Sequence, residues 1–136
     1  MKKILIALLL LTGNMAVAQK VPYNVVFDVT SADTVVHQMV MRWATGIMES
    51  DPEAKVEVVF YAKSLGMVTK DKSVVAAEVI KLAASKRVSF TVCEAAMKRN
   101  NVEKGQLLSG VETVPDGIYQ IIKRQHEGWG YIKAAK

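Results

Sequence analysis

The feature that most constrains this chain is a set of short β-branched runs recurring between segments of helical period. Tyr23 to Val29 (YNVVFDV), Lys55 to Tyr61 (KVEVVFY) and Val88 to Val92 (VSFTV) are nearly continuous in apolar residues. A strand that is apolar at almost every position is buried on both faces. After the first run, Thr30-Ser31-Ala32-Asp33 offers capping side chains, with Thr30 and Asp33 at capping-box spacing. The spacing of Val35, Val36, Met39, Val40, Trp43, Ala44 and Ile47 then predicts an amphipathic helix, ended by Asp51-Pro52.

The pattern repeats. Ser73 opens a second helix with Ala76, Val79, Ile80 and Ala83 inward, closed by Lys86 and Arg87, where cations suit the negative end of the helix dipole. Glu94 to Asn100 reads as a short helix, Val111 to Val114 as a short fourth strand, and Gly128 to Ile132 as a last edge strand. Between these two strands, Pro115-Asp116-Gly117 turns into a helix with Ile118, Ile121 and Ile122 inward. Strands alternating with helices at this spacing imply right-handed crossovers and a parallel sheet covered on both faces. The expected architecture is one α/β/α sandwich of four or five strands.

Composition agrees with a single core: 136 residues are 51% hydrophobic and 23% charged, too apolar for a disordered tail. One cysteine can close neither an internal disulfide nor a zinc site built on paired thiols. Residues 1–18 read as a secretory signal peptide: Lys2 and Lys3, an apolar run from Ile4 to Leu11, then small residues ending in Ala16-Val17-Ala18. Cleavage before Gln19 leaves one domain, 19–136, lowers the net charge from +5 to +3, and implies export to the periplasm or beyond a bacterial cell. The remaining Lys and Arg are scattered, without interleaved aromatics, so a nucleic-acid surface is not expected, nor is stable membrane insertion of the processed chain.

In an open parallel sheet, ligands bind at the carboxyl ends of the strands. That edge collects Thr30 and Ser31 after the first strand, Lys63 and Ser64 after the second, Cys93 after the third and Pro115 after the fourth. Thr30, Ser31, Lys63 and Ser64 are therefore the candidate substrate-binding residues. Cys93 is the candidate catalytic residue, because helix-start amides favour a thiolate there and Lys63 would act in the same sense if it turned towards the sulfur. Glu94 opposes both, as a neighbouring carboxylate disfavours a second anion. The competing reading makes Cys93 a small buried hydrophobe. His37 falls on the polar face of the first helix and His126 near the end of the last, 89 positions apart, so no metal site is expected. No phosphate-binding loop or dinucleotide fingerprint is present, and no cofactor is expected.

The run Val88-Ser-Phe-Thr-Val-Cys93-Glu-Ala-Ala-Met97-Lys and the run Leu107-Leu108-Ser-Gly110-Val111-Glu-Thr-Val114-Pro115-Asp-Gly117 resemble the DsrE/DsrF-like family. So do the ending Gln125-His-Glu-Gly128-Trp-Gly-Tyr131-Ile132-Lys and the opening strand Val25 to Val29. The resemblance implies a three-layer α/β/α sandwich on a parallel five-stranded sheet, assembled as a homo-trimer or homo-hexamer. It also implies sulfur relay, with a persulfide carried on Cys93 between a donor and an acceptor thiol. Two other functions remain open: a non-catalytic, exported, oligomeric protein binding a small ligand at the same edge, and a thiol redox sensor. The relay reading requires the Cys93 sulfur to be open to reagents.

Overall fold

Each of the β-branched runs becomes a strand in the computed structural model, which describes residues 20–135. The segment read as a signal peptide lies outside the described residues. The strands are β1 (Asn24–Val29), β2 (Lys55–Phe60), β3 (Val88–Cys93), β4 (Val111–Val114) and β5 (Gly130–Ala134). The helices are α1 (Thr34–Ser50), α2 (Ala76–Ala84), α3 (Glu94–Arg99) and α4 (Gly117–His126). The strands form one sheet in the order β4-β3-β2-β1-β5, and every neighbouring pair is parallel.

That order dictates where the helices go. The crossovers from β1 to β2, β2 to β3 and β3 to β4 all step the same way along the sheet. The return from β4 to β5 spans the whole sheet in the opposite sense. With right-handed connections, α1, α2 and α3 share one face and α4 has the other to itself. The packing agrees. Val25, Phe27, Val29, Val58, Phe60, Phe90 and Val92 pack with Val36, Val40 and Ala44 of α1, Val79 of α2 and Met97 of α3 in one large core. Among the described residues, the opposite face has a much smaller apolar cluster, Val26, Val59 and Ile121 with Tyr61 against it.

Below α4 the interior is polar. Glu57 of β2 is 1% exposed and takes hydrogen bonds from Thr91 Oγ1 (2.8 Å) and Gln120 Nε2 (2.9 Å). Arg124 Nε donates to its other carboxylate oxygen, and the Arg124 guanidinium lies 4.6 Å from the centre of the Trp129 ring. A buried carboxylate needs such partners, because desolvating an unpaired charge is costly.

This network corrects one sequence expectation. Ile118 and Ile122 do not point inward; they are 56% and 55% exposed, and only Ile121 of the three is buried. The helix is rolled so that Gln120 and Arg124 reach Glu57, which a purely apolar stripe cannot anticipate. Val35, Trp43 and Ile80 are likewise more exposed than their spacing predicts, although Trp43 still stacks on Phe27 at 5.9 Å.

His37 is the other correction. It is 3% exposed, not solvated, because its Nε2–H donates to Ser31 O at 2.8 Å and folds the ring back over the turn before α1. The capping of α1 also differs from the expected box. Asp33 is itself the N-cap, accepting from Val35 N at 2.9 Å, while Ser31 Oγ accepts from Asp33 N.

Candidate functional site

The carboxyl edge of the sheet holds three distinct neighbourhoods. The first is built around Cys93, the last residue of β3 and the N-cap of α3. Strand alternation turns Cys93 to the α4 face, in line with Thr91. There Gly117, the first residue of α4, lies directly on it. A Cβ added at Gly117 would stand 3.0 Å from Cys93 Cβ and 3.2 Å from Val59 Cγ1. The thiol approaches Pro115 O at 3.9 Å, and the residue is 7% exposed. Asp116 caps α4 through Ile118 N and Tyr119 N, so this turn is held in place by its own side chain.

Glu94 follows Cys93 but turns away from it. Its carboxylate accepts from Thr113 Oγ1 at 2.8 Å and pairs with Lys104 at 3.0 Å. The Thr113 hydrogen bond first, and Lys104 second, hold its pKa below the usual glutamate value. The charge of Glu94 is thus kept, one residue from the sulfur.

The second neighbourhood lies on the α1 side of the edge. A cavity of about 330 Å³ opens there, lined by Thr34, His37, Lys63, Lys72, Asn100 and neighbouring apolar groups. Lys63 therefore belongs to this cavity, and Cys93 does not line it. Ser64 is fully buried; its Oγ lies 2.7 Å from Val29 O and 2.8 Å from Tyr61 O, so its single proton ties the loop after β2 to the end of β1. Ser31 is committed to the α1 turn by its Oγ and carbonyl, as described above.

The third neighbourhood went unnoticed in the sequence. Asp28 of β1, 5% exposed, accepts from Tyr131 Oη at 2.7 Å and from Lys133 Nζ at 3.0 Å, both on β5. Lys133 Nζ also reaches Thr30 Oγ1 at 2.9 Å and stands 5.6 Å from the centre of the Tyr61 ring. The Asp28 hydrogen bond pushes the Tyr131 phenol up to about 12, with desolvation second. Burial first, and Asp28 second, raise Tyr61 further. Thr30 thus joins Lys133, Ser31 stays with the α1 turn, Lys63 faces the cavity, and Cys93 lies under α4. The five candidates share one edge but not one pocket. The missed signal was a charge, Asp28, inside a strand otherwise read as apolar.

Comparison with known proteins sets this edge in context. The family model described as the DsrE/DsrF-like family matches residues 24–134. A protein of unknown function from Methanobacterium thermoautotrophicum, MTH1491, is 28% identical, with a TM-score of 0.76 over 82% of this chain and 98% of that one. The YchN protein of E. coli superposes at a TM-score of 0.68 with 8% identity, over 82% of this chain and 98% of its own. BT1422 of Bacteroides thetaiotaomicron, a conserved protein of unknown function, gives 0.63 with 13% identity, over 82% and 94%. These last two likenesses concern the fold alone. No curated protein matches. With a family model spanning β1 to β5, the chain belongs to the DsrE/DsrF-like family.

Proposed function

We propose that this is a sulfur-relay-like protein in which Cys93 carries sulfur as a persulfide. The observation that carries the reading is the position of the chain's one thiol, at the end of β3 and the start of α3, in a family member. The chemistry balances without an external oxidant. The Cys93 thiolate attacks the outer sulfur of a donor persulfide, R–S–SH. The donor S–S bond breaks, its electron pair leaves on R–S⁻, and a new S–S bond gives Cys93–S–SH. An acceptor thiolate then takes the outer sulfur and returns Cys93 to its thiolate. The partners in this scheme are a sulfur donor and an acceptor thiol, the working compartment lies outside the cytoplasm, and the assembly is a homo-trimer or homo-hexamer.

The 7% exposure of Cys93 sets a condition: the Pro115–Gly117 turn must part for the outer sulfur to be reached. That burial, together with a separate cavity at the same edge, favours a second reading, a non-catalytic protein that binds a small ligand. Intact-mass measurement after incubation with inorganic polysulfide separates the two. Relay predicts a gain of about 32 Da per sulfur in the wild type and none in Cys93→Ser. A wild type that takes up no sulfur leaves the binding reading in possession of the edge.

A further inference from the structure

We infer that the cavity beside α1 is a binding site for a small proton-bearing oxyanion such as hydrogen phosphate. The inference rests on the reading that this cavity holds a ligand, needs nothing from Cys93, and adds the ligand's chemical class. The geometry of His37 is the starting point. Nε2–H is spent on Ser31 O, which leaves Nδ1 as the only other polar atom of a side chain that is 3% exposed. Among the described residues no partner is found for Nδ1, and none of their buried side-chain nitrogens or oxygens is both sealed from solvent and unsatisfied. His37 lines the cavity, and a ring that donates through Nε2–H presents Nδ1 as an acceptor, so this group suits an oxyanion that itself carries a proton.

Charge supplies the sign of the ligand. Lys63 and Lys72 both line the cavity, and no acidic side chain does. Neither ammonium has an ion-pair or hydrogen-bond partner among the described residues. Thr34, whose hydroxyl donates or accepts, is the first residue of the 17-residue α1, and the positive end of that helix points the same way. Asp33, which caps α1, is not part of the lining. Two unpaired ammonium groups and a hydroxyl around about 330 Å³, with an imidazole nitrogen to accept a ligand proton, suit a compact hydroxylated oxyanion better than a neutral ligand.

The test is an amide-resolved NMR titration with inorganic phosphate, thiosulfate and dimethyl sulfone, the last a neutral probe of similar size. The expected result is saturable shifts at Thr34, Gly66 and Asn100 with phosphate, weaker ones with thiosulfate, which has no proton to give His37, and none with dimethyl sulfone. These shifts should weaken about tenfold in Lys63→Ala/Lys72→Ala, fade with added salt, and persist in Cys93→Ser. Shifts with dimethyl sulfone but not with the anions would overturn the assignment of charge while leaving a ligand cavity. Shifts with neither would overturn the cavity as a site, and anion binding unchanged in the double variant would place the anion elsewhere.

Discussion

The two faces of the sheet solve the same problem in different ways. Beneath α1, α2 and α3 the interior is hydrocarbon, with Phe27, Phe60 and Phe90 fully buried and Phe60 and Phe90 stacked at 6.3 Å. Beneath α4 the strands present Asp28, Glu57 and Thr91, all at 5% exposure or less, and a single helix must satisfy them. An apolar face accepts any helix of suitable stripe and volume, since hydrophobic burial has no direction. A polar face accepts only the rotation that brings Gln120 and Arg124 onto Glu57. The difference teaches that α4 is positioned by hydrogen bonds, and that its start, at Gly117, is thereby set onto Cys93.

The comparison can be broken most forcefully from the apolar side. Phe60→Ala should cost about 3–5 kcal/mol in a urea melt, as expected for a large aromatic removed from a closed core. On the polar face, Arg124→Ala should cost about 2–3 kcal/mol. This is below the usual penalty for orphaning a buried carboxylate, because the Arg124 side chain is 26% exposed and water can partly replace it. If Arg124→Ala proves neutral, the buried Arg124–Glu57 pair does not hold α4 and the contrast between the faces fails.

Gly117→Ala sharpens the point at the helix start. A methyl group 3.0 Å from Cys93 Cβ must push α4 off the sheet or shift β3, so a loss of about 1 kcal/mol is expected despite the better helix propensity of alanine. The smallest effect concerns protons. The Tyr131 phenol, raised to about 12 by Asp28, is neutral in the fold over a range where a free tyrosine ionises. Its contribution to stability is therefore complete below about pH 10 and is lost as pH rises through about 12. Asp28→Asn should bring the phenolate transition, followed by ultraviolet absorbance, back towards the ordinary tyrosine value.

These contrasts mark what one sequence reveals. The strands and α1 were readable because β-branched runs and a 3.6-residue apolar stripe are local signals. The five-stranded parallel order follows from alternation and handedness. The roll of α4 was not readable by counting apolar positions, since its inward stripe is Gly117, Gln120, Ile121 and Arg124. Its cause stood 63 residues before Gln120, as a glutamate in a strand. The same holds for His37, whose burial depends on the Ser31 carbonyl, and for Cys93. Its place at a strand end is local, but its cover is supplied by Gly117, 24 residues on.

The account turns on whether the native fold lets a reagent reach the sulfur that α4 covers. The alkylation rate of Cys93, measured against the rate of global unfolding in the same buffer, answers this directly. Sulfur relay predicts modification much faster than unfolding, through a local parting of the Pro115–Gly117 turn. Modification no faster than unfolding would contradict it, and would make Cys93 a packing residue beneath the helix.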